Sequence, residues 1–190
     1  MAIALLLCAC ALLAILGVGQ LALSSVDAIE RDGLARGQRA PSWSQADSAG
    51  VLRRSPPSAP LQLIVFADHS LKSFPSVVAG LRELRGGTPA VTADPDPADL
   101  EIVILTRGPS ENAELVLGQL GLAGIPVLAG SPARYAGYNV RVMPFAIFVD
   151  SAGRVRASSL VNHDWQVRKL GQIAALPLVE APELSGTACS

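Results

Sequence analysis

Sulfur is scarce in this chain and sits only at its two ends. Three cysteines occur in 190 residues: Cys8 and Cys10 in the opening apolar run and Cys189 in the closing GTACS. Nothing between them can form a pair, so there is no internal disulfide and no cysteine-based metal set to expect. With two histidines, His69 and His163, the metal expectation is none, and no cofactor motif is present. An excess of positive charge is missing too: 15 Lys and Arg stand against 16 Asp and Glu, for a net charge of −1. A balanced chain of this kind has no electrostatic footprint for nucleic acid. Long polar tracts are absent, and an apolar content of 50% excludes a disordered tail protein.

What the chain does have is a long apolar start. IALLLCACALLAILGVGQLAL carries no charge and only one strongly polar residue, Gln20. As a helix it is long enough to cross about 30 Å of hydrocarbon. Residues 1–23 are therefore expected to be a single transmembrane anchor. A cleaved secretory signal would want Lys or Arg before the apolar core, and only the amino group is available there. A lipoprotein reading fails on order, since the lipidated cysteine should follow the apolar stretch and Ala11 to Val18 continue beyond Cys10. Arg31, Arg36, Arg39, Arg53 and Arg54 follow the span and favour a cytoplasmic domain by the positive-inside rule, while Asp27 and Glu30 lie closest to it.

Behind the anchor, residues 24–60 are expected to form a linker and N-terminal extension that contains GQRAPSW and then SPPSAP, the latter too proline-rich for helix. The body is expected over 61–176, enough chain to bury a core without disulfides. LQLIVFA, Leu61 to Ala67, is apolar on both faces, as a central parallel strand requires. Helical spacing of Val77, Val78, Leu81 and Leu84 follows, stopped by Gly86-Gly87. EIVILT is a second strand, and Pro109 to Gly121 bound a second helix. IPVLAG is a short third strand. FAIFVD and VRASSL form a hairpin across Ser151-Ala152-Gly153. Asn162 or Asp164 caps a last helix carrying Trp165, Val167, Leu170 and Ile173. Residues 177–190 are a flexible tail.

This order, β-α-β-α-β, then a loop, a hairpin and a helix, is that of a thioredoxin-like α/β fold with a central mixed sheet flanked by helices. Three segments carry a closer resemblance. GQRAPSW resembles the G-x-x-A-P leading segment of the TlpA, MauD and peroxiredoxin-like (AhpC/TSA) branch of thioredoxin-fold proteins. LQLIVFADHSLKSFP sits where that branch has strand, active-site loop and helix, and RVMPFAIFVDSAGRVRASSLVN looks like its proline loop, strand, turn and return strand. The anchor and linker are similar to those of the membrane-bound MauD type. The resemblance implies a domain on the extracytoplasmic side of the cell membrane. It also implies a redox dithiol, which this chain lacks. Counting from Phe66 puts the two family cysteines at Leu71 and Phe74; counting back from Pro75 puts them at Ala67 and Ser70. Neither register holds sulfur, so the attack and resolution of thiol–disulfide exchange have no local agent. Pro144, after Met143, takes the place of the family's cis-proline, whose preceding backbone pairs in relatives with an extended peptide; that pairing needs no thiol.

The degenerate loop, Asp68, His69, Ser70, Leu71, Lys72, Ser73 and Phe74, with Met143 and Pro144 opposite, is thus the candidate site. Asp68 beside His69 could make an acid–base pair, against the simpler reading of a solvated loop histidine. Ser70 and Ser73 lack a nucleophile elbow, and one of them reads as the helix cap. Lys72 is either an anion ligand at the helix start or a solvated lysine. Leu71 and Phe74 either pack as core or present an apolar contact. Asp150 with Gly153 reads as turn chemistry, and His163 with Asp164 as a helix start. No catalytic residue is assigned. The leading expectation is an accessory or binding module for a protein or peptide partner at the membrane. The alternative is a thiol–disulfide oxidoreductase or peroxiredoxin-like antioxidant using Cys189 or a partner's thiol, and a plain scaffold is a third reading.

Overall fold

A computed structural model of the chain describes residues 32–86 and 100–178. The expected anchor, the three cysteines and nearly all of the expected tail lie outside the described residues. Among the described residues no helix is long and apolar enough to cross a membrane.

Among the described residues, seven strands and four helices follow in the order β1 (Trp43–Ala46), β2 (Leu52–Ser55), β3 (Leu61–Phe66), α1 (Phe74–Arg85), β4 (Leu100–Thr106), α2 (Ser110–Gln119), β5 (Val127–Ala129), α3 (Pro132–Gly137), β6 (Phe145–Asp150), β7 (Val155–Leu160) and α4 (Asp164–Ala175). Strands β5-β4-β3-β6-β7 form one mixed sheet, and β1-β2 a separate antiparallel pair. β3 lies between β4, parallel to it, and β6, antiparallel to it. This central place explains its composition: Leu63, Ile64, Val65 and Phe66 are fully buried, because a strand with layers on both faces has no solvent side. The architecture is a thioredoxin-like α/β fold, with helices layered against a mixed sheet.

Alternation along the strands divides the core in two. On one face Leu63, Val65, Ile104 and Phe148 meet Val77 and Leu81 of α1, Leu117 of α2, and Val167 and Leu170 of α4. On the other, Ile64, Phe66, Leu105, Phe145 and Ile147 meet Tyr135, Tyr138, Leu34 and Ala40. Each fully buried large apolar side chain contributes about 1.5–3 kcal/mol relative to exposure. At the centre of this second face Phe66 packs edge-on to Tyr135, with ring centroids 5.2 Å apart, and against Tyr138 at 5.3 Å.

Two sequence expectations change here. Residues 32–60, expected as linker and N-terminal extension, pack onto the sheet: β1 pairs with β2, and Leu34 and Ala40 are core. The reason is that the second sheet face has only the six-residue α3 of its own, and Tyr138 and Phe145 need cover. Trp43 Nε1 donates to the Tyr138 hydroxyl at 2.9 Å, and that hydroxyl donates to the Pro41 carbonyl at 3.2 Å. Gln62, fully buried, reaches out from β3 to donate to the Arg54 carbonyl at 2.9 Å and to Glu101 at 3.0 Å. The helix caps also differ. The cap position of α4 is His163, neither Asn162 nor Asp164, and Gln166 Oε1 accepts from the backbone N–H groups of Asn162 and His163 at 2.6 and 3.0 Å.

Candidate functional site

The exit of β3 builds the loop from Asp68 to Ser73. Ala67 N donates to the Leu105 carbonyl at 3.0 Å, the last ladder bond before the chain turns away. Asp68 then organises the turn: its Oδ1 accepts from Ser70 N at 2.9 Å and from Ser70 Oγ at 2.7 Å. The Ser70 N–H holds the Asp68 carboxyl below the usual carboxylate range, helped by the Ser70 hydroxyl and by the charges of His69 and Arg107, against the opposing effect of burial. Leu71 N donates to the Asp68 carbonyl and Phe74 N to the Leu71 carbonyl, two successive turns that lead into α1.

The candidate side chains separate in this geometry. His69 Nδ1 lies 3.7 Å from Asp68 Oδ1, outside hydrogen-bond range, and has no hydrogen-bond partner among the described residues. The two therefore do not form a hydrogen-bonded acid–base pair. Ser70 uses its hydroxyl on Asp68, and Ser73 occupies the cap position of α1 without a side-chain bond, so neither serine caps the helix through its hydroxyl. Lys72 is exposed. Leu71 is half-buried against the core, and Phe74 is 1% exposed within it. Of the two fates open to this pair, Phe74 takes the core one. Ser76, one turn on, accepts from Asp164 N at 3.3 Å, tying the start of α1 to the start of α4. Asp150 accepts from Arg154 N at 2.8 Å around Gly153, whose φ is +77°, which is the expected turn.

Across from this loop the Met143–Pro144 bond is cis. The register Phe66↔Phe145 brings the β3 exit, Ala67-Asp68, alongside Pro144 and Met143. Pro144 is buried and its carbonyl accepts from Val161 N at 3.0 Å. Met143 is half-buried and Val142 is 49% exposed; among the described residues neither makes a hydrogen bond through its backbone. Main-chain donors and acceptors are thus presented at the loop's surface.

Next to it lies a feature that sequence reasoning missed. A cavity of about 710 Å³ opens beyond the carboxyl ends of β4 and β5, lined by Arg107, Gly130, Pro132, Tyr135, Ala136, Asn139, Val140 and Arg141. The Arg107 guanidinium lies over the Tyr135 ring, 5.0 Å from its centroid. The Tyr135 hydroxyl donates to the Leu105 carbonyl at 3.1 Å, and burial pushes its pKa up to about 12. The signal available in the sequence was Arg107 itself, placed just after a parallel strand, where ligands gather in open α/β sheets.

No protein-family model and no curated protein sequence matches the chain. Solved structures do resemble it. The thioredoxin domain of a thiol-disulfide oxidoreductase from Bacteroides vulgatus superposes with a TM-score of 0.57 at 15% identity, over 72% of this chain and 97% of that one. A thioredoxin-family thiol:disulfide interchange protein from Chlorobium tepidum gives 0.56 at 14%, over 75% and 99%. A peroxiredoxin-like protein from Aquifex aeolicus gives 0.55 at 12%, over 75% and 90%. At these identities the likeness is one of fold: the chain has the thioredoxin-like architecture that thiol:disulfide oxidoreductases and a peroxiredoxin-like protein also use.

Proposed function

We propose that the chain is a membrane-tethered thioredoxin-like module of the TlpA/MauD type that lacks the redox dithiol and holds an extended segment of a partner protein on the extracytoplasmic side. One observation carries the reading: the cis Met143–Pro144 loop offers the unbonded backbone of Val142 and Met143 beside a loop that has no cysteine. An extended segment can add to such a backbone as a strand adds to a sheet edge, and this needs no sulfur. Leu71, Met143 and Val142 supply partly exposed apolar surface around it, whereas Phe74 is core.

The test is a photo-crosslinking residue at Val142 in the full chain in its own membrane. A protein crosslinked there, and not from an equivalent residue at Gln172 on α4, supports the reading. No crosslink above the Gln172 background overturns it. Beside this, the purified chain should neither reduce insulin disulfides with a thiol donor nor consume peroxide; turnover lost in Cys189→Ser would make the chain an oxidoreductase. A reporter active only outside the cytoplasm, fused after Ser190, should be active. Silence there, with a cytoplasmic reporter active at the same junction, places the domain inside.

A further inference from the structure

The outward side of α4 takes no part in the site described above, yet it is not an ordinary polar helix surface. Trp165, Lys169, Gln172 and Leu176 recur at helical spacing and are all exposed, Trp165 at 50% and Leu176 at 53%. Val167, Leu170 and Ala174 hold the opposite side of the helix in the core. The exposed stripe thus carries a large apolar group at each end and a cation between them. Its Leu176 end meets arginines from two other segments. Arg36 and Arg156 both donate to the Leu176 carbonyl, and Arg39 bridges to Arg154 beside the bond from Gly37 N to the Val155 carbonyl. Arg156 has Asp150 3.8 Å away to answer its charge. Arg36, Arg39, Arg154 and Lys169 are exposed and make no ion pair with a described residue. Even with Asp32 counted against them, this side of the fold is positive.

The chain's own connection decides what such a face meets. Leu34 sits on β7, its carbonyl accepting from Ser158 Oγ at 2.8 Å, and only residues 24–31 separate Asp32 from the expected anchor at 1–23. Eight extended residues reach at most about 28 Å, so the β7 edge is kept within reach of the lipid headgroups around the anchor. We infer that this side of the domain docks on an anionic bilayer surface, with α4 along the interface, Trp165 and Leu176 among the headgroups, and Arg36, Arg39, Arg154 and Lys169 on lipid phosphates. Cations interleaved with an aromatic and an aliphatic side chain on one helix stripe are the composition of an interfacial helix. Each cation near such a surface strengthens attachment by only about fivefold. That suffices here, because a tether keeps the face at a high effective concentration of lipid. The inference rests on the membrane tether proposed above, and on nothing about the backbone offered at Val142 and Met143.

The test uses the full chain in vesicles of phosphatidylcholine alone or with phosphatidylglycerol, with a nitroxide quencher on the headgroup of a trace lipid. Flotation with the neutral vesicles reports the tether, and quenching of Trp165 fluorescence reports the docking. Quenching should be strong with phosphatidylglycerol and weak without it. It should vanish in Trp165→Phe, which assigns it to this ring and not to Trp43. The triple variant Arg39→Gln, Arg154→Gln, Lys169→Gln should weaken docking about a hundredfold, at about fivefold per charge, and so remove the quenching. All three residues are exposed, and a melt matching that of the natural chain shows the fold intact. High salt should have the same effect with no substitution, by screening the charges. A chain that fails to float overturns the tether and the proposal with it. One that floats with Trp165 unquenched in anionic vesicles overturns the docking alone, as does quenching that survives in the triple variant. Quenching that appears only when residues 179–190 are removed makes the chain's own tail, with Glu180 and Glu183, the occupant of this side, and also overturns the proposal.

Discussion

Phe74, at the first turn of α1, is the residue on which the two readings of the degenerate loop divide, and its 1% exposure makes it part of the core with Val77, Val78 and Leu81. Phe74→Ala should lower stability by about 3–5 kcal/mol through the cavity it leaves. Lys72→Ala, exposed two residues earlier, should shift it by under about 0.5 kcal/mol. A denaturant titration of both variants reads this directly, and a Phe74→Ala loss under about 1 kcal/mol would return the ring to the surface. Sequence could not decide the point, because a residue at a helix start shows no periodicity of its own; which way it faces depends on how α1 sits on β3. The cis-proline position was legible through the family resemblance alone, since the residues themselves show no more than a proline opening a strand. Tyr135 yields a second prediction. Its phenol has an ordinary pKa of 10.0 and one raised to about 12 in the fold, chiefly by burial. Folding therefore favours the neutral form, so the linked stability is whole below pH 10 and drains away as pH rises toward 12. Unfolding midpoints from pH 9 to 12 should fall more steeply for the natural chain than for Tyr135→Phe, and parallel slopes would refute the linkage.

Among the elements, the contact between α1 and α4 turns on a missing side chain. A Cβ on Gly80 would meet the Asp164 carbonyl oxygen at 2.8 Å and Val167 Cβ at 2.9 Å. Backbone on one side and a branched core residue on the other leave no room to yield. Gly→Ala inside a helix ordinarily stabilises by about 1 kcal/mol, yet Gly80→Ala should destabilise, as α4 is pushed off α1. Gly118→Ala in α2, where a Cβ meets nothing within 4 Å, should show the ordinary gain. Opposite signs in two thermal melts are the expected result; a stabilised Gly80→Ala would mean the helices are not in close contact. Both helices were legible as helices, from Val77, Leu81 and Leu84 and from Val167 and Leu170 at helical spacing, but the glycine contact was not, because it is a relation between segments 84 residues apart. Trp165 shows the same limit: it falls in the expected helix, yet is 50% exposed and stacks on His163 instead of the core. The end of α4 is held by a clamp equally invisible in sequence, with Arg36 and Arg156 each donating to the Leu176 carbonyl, at 2.7 and 2.6 Å.

For the molecule as a whole, the order of β3 to β7 with α1, α2 and α4 was readable because the central strands are buried on both faces and so are apolar without interruption, while the short α3 fell in the expected loop. The contribution of residues 32–60 was not readable. WSQA and LRRS are short and largely polar, and Leu34 and Ala40 lie in DGLARGQRAP, which has neither strand nor helix periodicity. Their role comes from what they cover. Gly33 N donates to the Asn139 carbonyl at 2.8 Å, Ala40 N to the Gly153 carbonyl at 2.8 Å, and Gly37 N to the Val155 carbonyl at 2.7 Å, stitching the segment to α3, the β6–β7 turn and β7. At Gly33 the backbone has φ +85° and runs directly over the Phe145 ring, where a Cβ would fall 2.5 Å from it; only glycine meets both conditions. Removing the segment would leave the Tyr138 hydroxyl without its Trp43 and Pro41 partners and open Phe145 and Tyr138 to water. A chain of residues 32–178 should accordingly melt in one cooperative transition, while one of residues 61–178 should bind a hydrophobic dye and melt broadly or not at all. Should the shorter chain melt as sharply as the longer and at the same temperature, residues 32–60 are a spacer after all, and the second face of the sheet needs no cover beyond α3.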